Sequence, residues 1–170
     1  MAARLCPALL VGLAGPAAAI VLSPGGPVEL IVDAMNHSSS SVLAQVMGCD
    51  ALSVNVATTS KAAQDRAAAA GAIEVAIAAM QQFPDSKQAQ TACTRAVARP
   101  ILFNRENGLR AGKLGGLNLT LAAYERWMDD PMVTSLGGDV GAYLDWCDEN
   151  RAILRELGGV HLLIQNIKNN

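Results

Sequence analysis

Apolar residues recur along this chain at the spacing of one face of a helix. In a stretch that begins at Gly71, Ile73, Ile77 and Met80 fall at i, i+4 and i+7. An earlier stretch, 26–35, has the same form and also begins with a glycine. In a half-buried strand the apolar residues would alternate, so this pattern predicts short amphipathic helices.

The helical stretch occurs more than once. The glycines that open it recur every 43 to 45 residues, at Gly26, Gly71, Gly116 and Gly159. Periods of about 40–47 residues are typical of helical units that stack into solenoids. We therefore predict an all-α chain in which each unit has a short first helix, a short second helix and a longer third helix.

The repeat predicts a single domain over residues 1–170, since about three stacked units are needed for stability. Both ends of the sequence fall inside a unit, so apolar terminal faces are expected. End-to-end self-association through these faces is one option. The predicted units are a partial repeat at 1–25, whole repeats at 26–70, 71–115 and 116–158, and a partial repeat at 159–170.

Two third helices are expected to have irregular ends. Pro100 should stop the third helix of the repeat 71–115 at about Arg99, because proline lacks the backbone donor. In the repeat 116–158, two adjacent glycines should delay the third helix until about Asp139, from where it would reach Cys147.

Four cysteines bear on the redox environment. Cys6, Cys49 and Cys93 are 43 and 44 residues apart, nearly in register with the repeat, and Cys147 is the fourth. Equivalent helices of stacked units lie about 8–10 Å apart, whereas a disulfide needs Cα atoms within about 7 Å. We therefore expect buried free thiols, and with them a reducing, intracellular compartment.

The N-terminal stretch has two readings. Residues 5–22 carry no charge and could form a secretory signal, with a mature chain that begins near Ile20. Alternatively they belong to a half repeat, because Cys6-Pro7-Ala8-Leu9 matches the segment 49–52 in spacing. We favour the half repeat, since a signal peptide has no reason to keep register with the rest of the chain.

Charge and composition exclude several functions. The net charge is −2 and 16% of residues are charged, so no basic face for nucleic acid is expected. The prolines and glycines within the first 22 residues argue against an unbroken membrane-spanning helix. The two histidines, His37 and His161, are far apart, and no zinc-binding spacing occurs. We predict no catalytic residues, no cofactor and no metal site.

The three-helix unit resembles the armadillo repeat. The resemblance rests on the segments 150–159 (Asn-Arg to Gly-Gly), 71–77 (Gly-Ile to Ile) and 49–52 (Cys-x-Ala-Leu), and on Pro-Asp or Asp-Pro turns at 84–85 and 130–131. It covers essentially the whole chain as about three and a half units. It implies a right-handed α-solenoid.

Armadillo arrays usually bind an extended peptide or a partner protein along the concave face made by their third helices. The resemblance therefore implies a non-enzymatic interaction scaffold. In nuclear-import adaptors this face carries regular Trp and Asn residues, and the present chain departs from that pattern, so a groove for a nuclear-localisation signal is not expected. The corresponding candidates for partner contact are Asn55, Arg95, Arg99, Tyr143, Asp145 and Trp146.

Two alternatives to a self-contained cytoplasmic or nuclear scaffold stay open at this point. One is a secreted or membrane-associated helical protein led by residues 1–22. The other is an armadillo segment that belongs to a larger regulatory protein, such as a kinase or a ubiquitin ligase.

Overall fold

The chain is all-α. The computed structural model describes residues 27–56, 60–130, 133, 136–144 and 147–169. Of these, 81% are helical and none is in a strand, which confirms the predicted class. The described helices are α1 (Val28–His37), α2 (Val42–Asn55), α3 (Lys61–Ala69), α4 (Ala72–Gln82), α5 (Lys87–Ile101), α6 (Arg105–Lys113), α7 (Gly116–Trp127), α8 (Leu136–Leu144), α9 (Asp148–Glu156) and α10 (Gly159–Asn169).

Helices with the same position in the repeat pack on one another. Among the second helices, α1 packs on α4 and α4 on α7; among the third helices, α2 packs on α5 and α5 on α8. The first helices α6 and α9 are also in contact. Each third helix also packs on the second helix before it, and one continuous apolar core, which runs from Val28 to Leu154, fills the space between them.

Serine N-caps recur at the starts of the third helices. Ser41 and Ser86 cap the third helices α2 and α5, and their hydroxyls accept hydrogen bonds from the backbone N–H groups of Ala44 and Ala89, at 3.3 Å in both cases. These serines are 45 residues apart, so the shift between the two helices is 45 residues.

Buried glutamines confirm this shift. The side-chain amide of Gln45 donates to the carbonyl of Met35 at 2.8 Å, and that of Gln90 donates to the carbonyl of Met80 at 2.6 Å. Each glutamine thus adds a donor to a carbonyl in the last turn of the second helix, where the regular helical hydrogen bonds end.

The turn between the first and second helices requires glycine. Gly71, Gly115 and Gly158 have φ values of 89°, 80° and 69°, in the left-handed region that glycine adopts at low cost. The sequence pattern had aligned Gly71 with Gly116 and Gly159, and the structure corrects this by one residue. Gly116 and Gly159 are instead the first residues of α7 and α10.

Both predictions of irregular helix ends are wrong. Helix α5 includes Pro100 and ends at Ile101, and proline in the last turn forfeits only one backbone hydrogen bond. Helix α8 begins at Leu136, before both glycines, and ends at Leu144, so it does not reach Cys147. The packing of α8 against α5 and α7 outweighs the low helix propensity of glycine, about 1 kcal/mol per residue.

Arginine–glutamate pairs join neighbouring units on the outer side. Arg66 of α3 holds Glu29 of α1 at 2.8 and 2.9 Å, and Arg110 of α6 holds Glu74 of α4 at 2.6 Å. The pairs are exposed, so each adds at most about 1 kcal/mol to stability. Their recurrence nevertheless shows that α1 and α4 meet the following first helix in the same way.

The cysteine prediction is wrong for two of the four residues. Cys49 of α2 and Cys93 of α5 form a disulfide, with their Cα atoms 4.8 Å apart. The helices are related by a shift of 45 residues, whereas these cysteines are 44 apart. Cys93 is therefore turned by about 100° around its helix from Thr94, the position equivalent to Cys49, and this rotation lets the two sulfurs meet.

Small side chains allow this close approach. Ala51 of α2 and Ala92 and Ala96 of α5 are buried, and alanine lets helices pack more closely than the usual 8–10 Å. The inference of a reducing compartment depended on unpaired cysteines, so it loses its basis. Cys147 is free and buried, as expected, and Cys6 lies outside the described residues.

The predictions for the N-terminal stretch fall on residues that the structure does not describe, since the description begins at residue 27. Within the described part of the chain, none of the helices combines the length and the apolar character that crossing a bilayer requires.

Candidate interaction surface

The third helices α2 and α5 lie side by side and place equivalent residues opposite one another. Asp50 and Arg95 are related by the 45-residue shift, and Arg95 Nη2 lies 3.4 Å from Asp50 Oδ1. Residues that project from the same side of the two helices therefore form one surface. We call it the third-helix face and define it by Leu43, Asp50, Val54, Gln88, Arg95 and Arg99.

On α2 this face is largely apolar. Leu43, Asp50 and Val54 are spaced i, i+7 and i+11, which places them on one side of a helix. The two apolar members, about three turns apart on the same side of α2, are 65% and 59% exposed. Met47, beside them, is 45% exposed.

On α5 the equivalent positions are polar. Gln88 and Arg99 are exposed and Arg95 is half-buried. The third-helix face therefore places an apolar stripe next to a basic one. Such a surface can contact a partner that presents both apolar and acidic groups.

The two arginines differ in their partners. Arg95 pairs with Asp50, while its Nε is buried with no acceptor among the described residues. For Arg99 no carboxylate of the described residues lies within 4.0 Å. An exposed guanidinium without a partner is available to bind a carboxylate in two-pronged fashion.

Asp139 of α8 is the nearest further acid and is half-buried. Burial raises the pKa of Asp139 to about 6, and the guanidinium groups of Arg99 and Arg95 oppose that rise. At neutral pH this carboxylate is mostly ionised and offsets part of the positive charge from the inner side of the surface.

The other residues predicted from the sequence are found at several places. Asn55 is half-buried near the end of α2, where its side-chain amide donates to the carbonyl of Ala51 at 2.8 Å. The Asn55 amide is thus hydrogen-bonded within its own helix, next to Val54 in the sequence. Asp145 and Trp146 lie outside the described residues.

Tyr143 corrects one of the predictions. It is fully buried, and its hydroxyl accepts a hydrogen bond from Thr120 at 3.4 Å, so it packs in the core and is not exposed to a partner. Burial raises the pKa of the Tyr143 hydroxyl above its usual range. A Cβ added to Gly116 would lie 2.7 Å from that hydroxyl, which explains a glycine at the start of α7.

Leu43 and Val54 are surface residues that the sequence pattern did not single out. The sequence did contain a signal for their exposure. The 45-residue shift makes Leu43 and Val54 equivalent to Gln88 and Arg99, residue types that are seldom buried. The pattern also missed Phe103, which is 68% exposed in the turn after α5 and has a φ of 57°. A left-handed conformation is unusual for phenylalanine and stores backbone strain.

No cluster of three or more potential metal ligands occurs among the described residues. His37 lies at the end of α1, where its Nδ1 is 2.8 Å from the carbonyl oxygen of Asp33. Comparison of the chain with protein-family models, with curated proteins and with solved structures found no match. The geometry of the third-helix face is therefore the basis for assigning a function.

Proposed function

We propose that the chain is a non-catalytic interaction scaffold of the armadillo type. In this proposal its three-helix units form a right-handed solenoid, and the third helices line a concave face that binds an extended peptide or a segment of a partner protein. The recurrent contacts support stacking of equivalent helices, and the resemblance to armadillo repeats supplies the handedness.

The observation that carries the proposal is the exposure of Leu43 and Val54 on a surface shared with Arg99, which has no ion pair among the described residues. Full burial of such a side chain contributes about 1.5–3 kcal/mol, and Leu43 and Val54 are 65% and 59% exposed, so folding of this chain leaves more than half of that contribution unused. A partner that covers them recovers it, as is usual for interaction surfaces.

The test is peptide binding to a matched pair of variants. Peptides of 12 residues are selected from a random display library on the full chain, and their dissociation constants are measured for Val54→Asp and Ala78→Asp. Both positions are exposed in helices, but Ala78 belongs to the second helix α4. We expect Val54→Asp to weaken binding about tenfold or more and Ala78→Asp to leave it within about twofold.

Equal effects of the two substitutions would place the binding site elsewhere. A library that yields no peptide above background would count against the scaffold proposal as a whole.

The disulfide favours one alternative for where the protein acts. Disulfides persist in oxidising compartments, so the Cys49–Cys93 bond supports a secreted helical protein led by residues 1–22. Asn36 is exposed and begins the triplet Asn36-His37-Ser38, which is an acceptor sequence for N-linked sugar. In a eukaryotic cell the secreted chain would lose mass on deglycosylation and in Asn36→Gln, whereas a cytoplasmic chain would show no change in either.

A further inference from the structure

We propose that Leu43, Val54 and Arg99 together select an extended peptide in which large apolar side chains lie next to one acidic side chain. This inference specifies the partner of the third-helix face and depends on the scaffold function proposed above. It concerns the chemistry of the ligand, which the resemblance to armadillo repeats leaves open.

The first step is that an earlier third helix stacked beside α2 would leave Leu43 and Val54 exposed. Helix α5 has α2 packed beside it, as α2 would have an earlier third helix beside it. The α5 residues that α2 covers show which positions such a neighbour would bury. Ala92, equivalent to Met47, is 2% exposed, so Met47 belongs to that covered side.

Gln88 and Arg99, in contrast, stay exposed although α2 is present. They are the equivalents of Leu43 and Val54. A preceding third helix would therefore leave these two residues open. Their apolar character is a property of the third-helix face itself, and stacking with an earlier unit does not account for it.

The second step concerns the charge. Arg95 already has Asp50 across the helix pair, because both units carry a charged residue at this equivalent position. Arg99 has Val54 across from it and therefore lacks a carboxylate there. The half-buried Asp139 interacts electrostatically with Arg99 but lies beyond ion-pair distance. A peptide carboxylate can therefore pair directly with Arg99 while neighbouring side chains of the peptide cover Val54 and Leu43.

The third step is the fit of an extended peptide. Residues two apart in a strand lie on the same face and about 6.6 Å apart. Helices α2 and α5 approach closely, with Cα atoms 4.8 Å apart at the disulfide. A strand that crosses both helices can therefore place an apolar side chain on α2 and an acidic one on α5 two residues apart.

The experiment uses the 12-residue peptides selected on the full chain. We expect Asp or Glu to be enriched several-fold two positions from Leu, Ile, Val or Met. A fluorescein-labelled consensus peptide is then measured by polarisation against Arg99→Glu and Arg155→Glu. Arg155 is the matched control, since it is exposed in the first helix α9 and has no ion pair among the described residues.

Arg99→Glu should weaken binding of the acidic peptide about tenfold or more, while Arg155→Glu changes it less than about twofold. A peptide in which lysine replaces the acidic residue should regain affinity for Arg99→Glu only. Leu43→Gln introduces the residue found at the equivalent position of α5, and we expect it to weaken binding several-fold. Arg99→Gln serves if the reversed charge alters the fold, as monitored by circular dichroism.

The outcomes separate the two proposals. Selected peptides without acidic enrichment, or equal effects of Arg99→Glu and Arg155→Glu, would overturn the acidic-peptide inference. If Val54→Asp still weakens those peptides, the scaffold function stands without it. If no peptide is selected at all, both proposals fall.

Discussion

Asn150 holds in its unit the position that Asn107 holds in the unit before. The side-chain amide of Asn107 donates to the carbonyl of Pro100 at 2.9 Å, seven residues earlier, and that of Asn150 donates to the carbonyl of Tyr143 at 2.8 Å, also seven residues earlier. Each asparagine also reaches a carbonyl of the preceding first helix, that of Gly108 at 2.9 Å in the case of Asn150. One side chain thus joins three helices.

We expect Asn150→Ala to lower the free energy of unfolding by about 1–3 kcal/mol, because it removes two hydrogen bonds that a buried amide donates to carbonyls of two other helices. Chemical denaturation followed by circular dichroism measures the change. Asn118→Ala is the control, since Asn118 is exposed on α7, and it should change stability by less than about 0.5 kcal/mol. Equal losses would mean that the buried amide contributes nothing specific.

Ile77→Asp tests which positions of α4 are buried. Ile77 is 3% exposed, whereas Gln81, one turn later, is exposed. A carboxylate at Ile77 would be buried without a partner, so we expect a loss of several kcal/mol, while Gln81→Asp should change little. Thermal melts of the two variants decide this, and similar shifts would contradict the burial of Ile77.

The disulfide should make stability depend on the redox conditions. Cross-links that close loops of this size contribute about 2–4 kcal/mol. We expect dithiothreitol to lower the melting temperature of the wild-type chain to that of Cys93→Ser in its absence. Cys93→Ser should not respond to the reductant.

Cys147→Ser is the control for this experiment. Cys147 is buried and free, so this variant can lose some stability but should keep the full response to dithiothreitol. If the wild-type chain melts at the same temperature with and without reductant, the bond adds nothing to the stability of the native state.

Asp139 should give the protein a component of stability that falls as pH rises. Burial raises the pKa of Asp139 to about 6 in the folded chain, above its value in the unfolded chain. Between about pH 4 and 6 the folded state holds a proton that the unfolded state has lost, so the free energy of unfolding decreases as pH rises through that window.

Asp139→Asn removes this component. We expect the variant to match the wild-type chain near pH 4 and to be more stable by up to about 2 kcal/mol at pH 7.5. The relevant quantity is the difference in the free energy of unfolding between the two chains. Paired carboxylates such as Glu29, whose pKa is lowered by Arg66, make stability increase with pH in both chains. Asp129→Asn, at an exposed turn residue, controls for a general charge effect.

Much of the fold follows from sequence period. The apolar spacing around Ile73 and Ile77 identified a second helix, and the recurring glycines identified the turns to within one residue. The low helix propensities of Pro100 and Gly137 gave wrong helix ends. Propensities describe an isolated helix, whereas both residues lie in helices that are stabilised by packing on neighbouring helices.

The errors about the cysteines, Tyr143 and Leu43 have a different cause. Pairing of Cys49 with Cys93 depends on the rotation of one helix against another, and a difference of one residue between 44 and 45 decides it. Burial of Tyr143 and exposure of Leu43 likewise depend on which side of a third helix meets its neighbours. Spacing within one helix identifies a face but leaves open which face is covered.

The bond between Cys49 and Cys93 also limits how far the chain can be pulled. The residues between these two cysteines, which are 44 positions apart, form a closed covalent loop that a tensile force on the two ends cannot extend. At about 3.4 Å per extended residue the loop withholds about 150 Å of contour length. Under load residues 49–93 therefore stay together as one closed loop, while the chain beyond residue 93, including the last turns of α5, can still be drawn out in full.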